Sequence, residues 1–481
     1  MIKRILLFIA ITILLLVIII LFNTVRVQSI QSKYATNSAP VLSQESVQHF
    51  QQAIQIKTIS FGDSSKLDSS AFLGFQRWLV KTYPLTHANL SKVVLKKYAL
   101  VYKWEGKNLQ VKPVVLMAHQ DVVPIEEATK SMWHVDPFAG EIKDDFIWGR
   151  GTTDDKINLV SIFEAVEKLL KGGFKPERTV YLALGHDEEM GGTGAKAIAA
   201  YLKSQNVEAE MVLDEGGIIT KNKVPGMKRP AALIGTSEKG YLSLELSVEK
   251  SGGHSSMPEK ETAIDILSRA IVKLKDNPFE PKLTPPMLGF IEYLGPEMPF
   301  VQKMAFTNIW LFKPMVINIY ESSAGGNAMI RTTFAPTIFQ TGFKDNVVPT
   351  IAKATVNLRL LPGDSSRQVI EKLKQIIGDE RIKVERLSSF VSEATGVTPT
   401  SSYAYKKVDE IVKKTFPNTV SSPFLMIGGT DSRHLEGISR GIIKFSPMID
   451  PIGFHGIDER VSLESYQLAQ WFYEQLIRDL D

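Results

Sequence analysis

The stretch Val114-Val115-Leu116-Met117-Ala118-His119-Gln120-Asp121 sets the frame for the rest of the chain. A short continuous apolar run ending in a histidine and a carboxylate reads as a parallel strand buried on both faces, with polar groups delivered at its carboxyl end. The same pattern returns downstream. Thr179 to Leu184 runs into Glu188-Glu189 and the Gly191-Gly192 turn, and Met211 to Leu213 runs into Asp214-Glu215. Between these strands, Ile157, Val160, Phe163, Val166, Leu169 and Leu170 recur at helical spacing, and Gly172-Gly173 stops the helix. Polar groups beyond the carboxyl ends of successive strands are what the crevice of an open α/β sheet provides. Asp154 and His455 add a carboxylate and an imidazole to the gathering. Imidazoles with several carboxylates suit zinc or a similar divalent ion, and one carboxylate shared between two ligand pairs suits a pair of ions.

Outside this core the grammar changes. Tyr241 to Val248 alternates strictly, with Leu242, Leu244, Leu246 and Val248 on one face. Helices are expected around Ala263 to Leu274 and Ser366 to Ile377, and further strands around Ala354 to Leu360 and Ile382 to Leu387. This is a smaller α+β layer inserted into the α/β frame. Pro278 to Tyr320 is rich in proline and apolar residues, including Phe290, Phe300, Phe306, Trp310 and Phe312. It reads first as core or subunit contact and second as an acyl pocket or membrane-facing lid. The frame resumes with a helix from Tyr403, a strand at Ile442 to Phe445 and an amphipathic helix from Leu463.

The N-terminus carries Lys3-Arg4 and then an unbroken apolar run from Ile5 to Phe22. That is long enough to span a bilayer and longer than the usual signal-peptide core of about 7–15 residues. The expectation is an uncleaved signal anchor over 1–26 and a polar tether over 27–43. The rest of the chain then lies on the extracytoplasmic side, periplasmic or extracellular; cleavage of the segment would make the protein secreted. At 481 residues the remainder exceeds one ordinary core. It divides into a catalytic domain in two parts, 44–237 and 393–481, around an inserted lid domain at 238–392. The net charge of +4 forms no basic block, so no nucleic-acid partner is assigned. With no cysteine in the chain, disulfides, thiolate metal sites and a cysteine nucleophile are excluded.

The segments His119–Pro124, Gly149-Arg150-Gly151 before Asp154, and Gly185-His186-Asp187-Glu188-Glu189 before Gly191-Gly192 together resemble the M20 metallopeptidase family. So do Gly252-Gly253-His254-Ser255-Ser256, Asn346-Val347-Val348-Pro349, Gly428-Gly429-Thr430-Asp431 and His455. Within it, the chain is similar to the branch containing carboxypeptidase S and the N-fatty-acyl-amino acid hydrolase/synthase. The resemblance runs from about Val41 to the C-terminus in the family's order. It implies a zinc-peptidase-like domain, with a mixed, mostly parallel sheet flanked by helices, and an inserted α+β lid or dimerisation domain.

The resemblance also implies two Zn2+ ions, or Co2+ or Mn2+ in their place. His119 and Asp214 would hold one, Glu189 and His455 the other, and Asp154 would bridge them. Glu215 is the alternative to Asp214, which directly follows the strand. Asp121 would orient His119, Glu188 would be the general base, and His254 would stabilise the oxyanion, from a partner subunit in dimeric members. Arg359, Asn346, Gly428 and Gly429 would hold the substrate's carboxylate and amide. Asp155, His186, His434 and Arg433 read as supporting residues, and His134 as part of a rim loop. The implied activity is hydrolysis of the amide bond of an N-acyl amino acid or of a short peptide with a free carboxylate. A carboxypeptidase or dipeptidase is the alternative on the same machinery, and an inactive membrane-anchored binding protein is the alternative of another class. A homodimer paired through the lid domain is the implied assembly.

Overall fold

A computed structural model describes residues 1–36, 38–221, 223–387 and 391–480. Residues 37, 388–390 and 481, which fall within the expected tether and domain ranges, lie outside the described residues, as does 222. The larger sheet has eight strands in the order Ser91–Leu95, Ala99–Trp104, Val180–Gly185, Val114–His119, Met211–Thr220, Ile442–Ile449, Ala231–Glu238 and Val420–Met426. Its centre is parallel, with Val114–His119 between Val180–Gly185 and Met211–Thr220, and Met211–Thr220 in turn beside Ile442–Ile449. Ser91–Leu95 and Ala99–Trp104 join antiparallel at one edge. Every residue of Val114–His119 and Val180–Gly185 is buried, as a strand covered by helices on both faces requires. Helices Lys156–Lys171, Tyr403–Thr415 and Leu463–Arg478 cover one face through Ile157, Val160, Phe163, Val408, Ile411, Phe472 and Leu476. Ile198 and Leu202 of helix Thr193–Ser204 cover the other. The architecture is therefore α/β with a mixed, mostly parallel sheet.

A second, four-stranded antiparallel sheet runs Thr333–Thr341, Ile351–Leu360, Gly240–Glu249 and Ile382–Arg386. Leu242, Leu244, Leu246 and Val248 meet Ala354, Val356 and Leu358 on one face, beneath helices Ala263–Asp276 and Ser366–Ile377. The alternation read at Tyr241 to Val248 is thus the inner face of this sheet. Truncating one such leucine to alanine costs about 2–5 kcal/mol in comparable cores. The edge strand Thr333–Thr341, which no sequence pattern announced, is largely exposed.

Two contacts bear on the expected organisation. Part of the span 238–392 packs on the larger sheet. Helix Pro285–Leu294 leaves the small sheet and lies on the larger one, where Met287, Phe290 and Leu294 pack with Leu233 and Val420, and the Phe290 and Phe424 rings stand 6.4 Å apart. Its proline-started, strongly apolar sequence covers an edge strand that would otherwise face water. The stretch after the N-terminal helix also contacts the folded body. Gln31 donates to Ser421 O at 2.9 Å and accepts from the Ser421 amide at 2.9 Å, and Ser32 donates to Asp409 at 3.0 Å. The N-terminal helix itself, Ile2–Arg26, is the one helix among the described residues long and apolar enough to cross a membrane.

Candidate metal centre

Register brings the first residues of the site together. His119 pairs with Gly185 across the parallel ladder, which leaves the Asp187-Glu188-Glu189 turn beside it. On its other side Leu116 pairs with Leu213, so Asp214-Glu215 follows at the same edge. Asp121 locks two of these pieces. Its carboxylate accepts the amides of Glu188 at 3.1 Å and Glu189 at 3.2 Å, and its carbonyl lies 2.9 Å from His119 Nδ1. The Glu188–Met190 turn then ends on Gly191 and Gly192, both at positive φ (100° and 67°), a conformation that suits glycine. The space freed at Gly185 and Gly192 is filled by the Asp431 carboxylate, which a side chain at either position would strike.

Asp154 and His455 arrive from opposite ends of the chain, tied by one buried carboxylate. Glu459 Oε1 accepts from the Gly151 amide at 3.0 Å, the Thr153 amide at 2.8 Å and Thr153 Oγ1 at 2.8 Å. Its Oε2 accepts from Arg150 Nη1 at 2.6 Å. Arg150 Nη2 in turn donates to the carbonyls of His455 at 3.3 Å and Gly456 at 2.9 Å. His455 is held at φ 54°.

Asp154 stands at the centre of the resulting cluster. Its Oδ1 is 2.9 Å from His119 Nε2 and its Oδ2 is 2.9 Å from His455 Nε2. Glu215 Oε1 approaches His119 Nε2 at 3.5 Å, and Glu189 Oε1 approaches His455 Nε2 at 3.2 Å. One carboxylate therefore sits between two imidazoles, each with a second carboxylate beside it.

The geometry departs from the expected pairing of Asp214 with His119. Asp214 Oδ2 accepts the Ser432 amide at 2.8 Å and its Oδ1 the Glu215 amide at 3.0 Å, so Glu215 is the carboxylate that faces the imidazole. Asp155 supports the backbone: it accepts the His119 amide at 3.2 Å and the Asn158 side chain.

The electrostatics are those of crowded, buried acids. Burial, then Glu215 and Asp431, push the Glu188 carboxyl well above its usual range. Burial, then Asp154 and Asp155, do the same to Glu215, and burial raises Glu189 against the pull of His455. Burial also opposes charge on Asp154, but its hydrogen bonds to His119 and His455 outweigh it and hold that carboxyl low. His455 is pushed up to about 10 by its bonds to Asp154 and Glu189. Burial disfavours a proton on His119, yet Glu215, Asp121 and Asp154 prevail and raise it. Glu189 Oε1 is buried with His455 Nε2, which it shares with Asp154, as its near donor at 3.2 Å. The groups His119–Asp154–Glu189 and His119–Asp155–Glu215 each bring their ligand atoms within 4.8 Å of one another. Several buried carboxylates around two imidazoles are a donor set suited to hard or borderline divalent ions.

The expected substrate contacts lie on two elements. Arg359 stacks over the Tyr241 ring at 4.8 Å; burial lowers its basicity, and Arg433, Glu238 and Glu188 are among the charges that act on it. Gly428 has open space where a side chain would be, and at Gly429 a side chain would strike the Arg433 guanidinium. Arg433 itself pairs with buried Glu238 at 3.2 Å, and Glu238 accepts the Thr430 amide at 3.0 Å, so this pair shapes the glycine loop. His254 and Asn346 are neighbours on the small ribbon where Gly253–His254 pairs with Val347–Val348. Both are exposed. The Ser255 amide donates to Asn346 O at 3.2 Å and His254 Nδ1 meets Ser256 Oγ at 2.8 Å. Among the described residues no hydrogen bond or ion pair ties His254 to the carboxylate cluster. His134 meets Asp458 at 2.5 Å on the rim.

Sheet and site together define a hydrolase of the metallopeptidase class. The model of Peptidase family M20/M25/M40 matches residues 115–479, and the chain belongs to that family. It is 39% identical to the "Probable carboxypeptidase S-like 2" of Dictyostelium discoideum over 97% of this chain and 92% of that one. It is 37% identical to the human "N-fatty-acyl-amino acid synthase/hydrolase PM20D1" over 89% of this chain and 86% of that one. The M20 metallo-carboxypeptidase Sso-CP2 of Sulfolobus solfataricus shares the fold, with a TM-score of 0.67 at 19% identity over 91% of this chain and 99% of that one.

Proposed function

We propose that the chain is a two-metal amidohydrolase acting on N-acyl amino acids or short peptides that carry a free C-terminal carboxylate. The observation that carries this reading is Asp154, whose two oxygens each lie 2.9 Å from a different imidazole. His119 and Glu215 would hold one ion, His455 and Glu189 the other, and Asp154 both; zinc suits the set, with cobalt or manganese as substitutes. Such ions supply an acidified water and polarise the scissile carbonyl. Glu188, whose proton affinity burial and Glu215 raise, takes the proton from the attacking water and gives it to the leaving amine. Asp121 fixes the His119 ring and the Glu188-Glu189 amides together. Arg359 meets the substrate carboxylate with its planar fork, beside Gly428 and Gly429. His254 and Asn346 complete the oxyanion side when the small sheet closes or when a second copy offers its own.

The name of the human relative favours N-acyl amino acids, and that of the Dictyostelium relative favours peptides trimmed from the carboxyl end. With the apolar N-terminal helix as a signal anchor, the enzyme works at an extracytoplasmic membrane surface, where amphiphilic acyl amino acids collect.

The test is a hydrolysis screen of the zinc-loaded chain with long-chain N-acyl amino acids against dipeptides. A chelated sample and Glu188→Gln serve as blanks. The expected result is turnover abolished by chelation and restored by zinc, and lowered about 10²–10⁴-fold by Glu188→Gln with metal content unchanged. Faster turnover of dipeptides would overturn the acyl preference, and metal binding without turnover of either class would overturn the hydrolase reading.

A further inference from the structure

We propose that helices Phe300–Thr307 and Ile309–Glu321 rest in the bilayer boundary, so that the folded body touches lipid directly instead of merely being tethered to it. The inference rests on reading Ile2–Arg26 as a membrane span, and that helix supplies the ruler. Its apolar run from Ile5 to Phe22 measures about 27 Å at about 1.5 Å per residue, close to the hydrocarbon thickness of about 30 Å. The boundary of the hydrocarbon on the body's side therefore falls near Phe22.

The body is joined to the span at that depth. Asn308, fully buried between the two helices, reaches Ile20 O at 3.3 Å and Thr24 Oγ1 at 3.2 Å, and Asn23 donates to its side-chain oxygen at 2.9 Å. Lys303 donates to Val27 O at 3.0 Å, one step further out. Any side chain pointing outward next to Asn308 then sits at the boundary as well. Most of those side chains are apolar: Phe300 and Val301 on the first helix, and Trp310, Leu311, Met315 and Ile319 on the second, with Trp310 57% and Ile319 58% exposed; Gln302, Lys313 and Asn318 are exposed and polar. Leu311, Met315 and Ile319 are four residues apart and share one stripe, with Trp310 and Pro314 beside it. The opposite side, Ala305 and Val316, packs inward with Met287 and Leu294. An outward apolar stripe of this kind is costly against water and ordinary in the headgroup boundary, where tryptophan is favoured and a flanking lysine such as Lys313 extends its charge to the surface. Continuity with the exposed face of the span selects lipid as the occupant over a second protein copy.

Because the chain has no cysteine, single labels report without background. Full-length Trp310→Cys, Met315→Cys and Ile319→Cys, with Leu14→Cys in the span and Leu109→Cys at an exposed position between Ala99–Trp104 and Val114–His119, would carry nitroxides in phosphatidylcholine nanodiscs. Collision with oxygen and with a water-soluble nickel chelate gives the depth of each. The expected result is oxygen-rich, nickel-poor labels at 310, 315 and 319, about 5–10 Å inside the boundary, and a Leu109→Cys label in water. If the Leu14→Cys label lies in lipid while the three others match that of Leu109→Cys, the platform is refuted and the span stands. Labels shielded from both oxygen and nickel would assign the stripe to protein contact and also refute the platform. A Leu14→Cys label in water would remove the span and the platform together.

Discussion

Glu189 meets the His455 ring directly and Glu459 reaches the His455 carbonyl through Arg150, and the chain treats these two carboxylates in opposite ways. Glu459 is met by two amides, a hydroxyl and a guanidinium, so all its charge is answered by protein. Glu189 has only His455 Nε2, shared with Asp154, at 3.2 Å; beside it Glu188 is raised by burial and by Glu215, and Glu215 by burial and by Asp154. Even Glu459 is held above its ordinary value by burial, with Arg150 and the amides opposing. A carboxylate buried without donors costs several kcal/mol, so one so well supplied within reach of others less well supplied marks a division of labour. One fastens the loops, and in the proposed function the others would face the cations.

Breaking that contrast should show its largest effect at the fastened carboxylate. Glu459→Gln leaves the Arg150 guanidinium buried beside a neutral group and is expected to lose about 3–5 kcal/mol in urea unfolding. Glu189→Gln, which removes one of the mutually repelling acids, is expected to leave the metal-free chain as stable as before or more so. Equal losses in both would erase the distinction. The next effect sharpens the assignment of ligands. By equilibrium dialysis, Asp214→Ala should weaken metal binding about 10–100-fold, as losing a group that only orients a ligand does. Glu215→Ala should weaken it further, and the reverse order would return the ligand role to Asp214.

The smallest effect concerns a buried cation answered by carbonyls instead of acids. Lys239 donates to Ala328 O at 2.9 Å and Arg331 O at 2.8 Å, and burial, then Arg359, lower it to about 7 from 10.5. Between those values the unfolded chain holds the proton and the folded chain does not. Stability from this group therefore grows as pH rises above 7 and is lost as pH falls toward it, by up to about 1.4 kcal/mol per unit. The Lys239→Met variant should lack that rise when unfolding is compared at pH 7 and pH 9.

The strands and helices that build the site were legible because burial on both faces writes an unbroken apolar run, as at Val114 to Ala118, and an inner face writes alternation, as at Leu242 to Val248. The positions of His119, Asp154, Glu189 and His455 were legible because each follows a glycine turn or a strand end in the family's order. Asp214 and Glu215 were harder to separate. In a strand covered on both sides no periodicity says which neighbour faces the cleft, and only the Ser432 amide decides it. Glu459 was invisible for a different reason. Its partners are backbone amides some 300 positions earlier, and a backbone amide leaves no mark in a sequence. The docking of Pro285–Leu294 on the larger sheet was likewise hidden, since an apolar helix says that it is covered and not by what.

The Glu459 fastening also ties the site to the timing of synthesis. A ribosome that has finished the first three quarters of this chain has made His119, Asp121, Asp154, Glu188, Glu189 and Glu215, yet not Glu459, whose carboxylate holds the Gly151–Thr153 turn. That residue comes some 240 positions after Glu215. A chain translated only that far carries the acidic groups without the second imidazole, so the paired site forms only after His455 has been made.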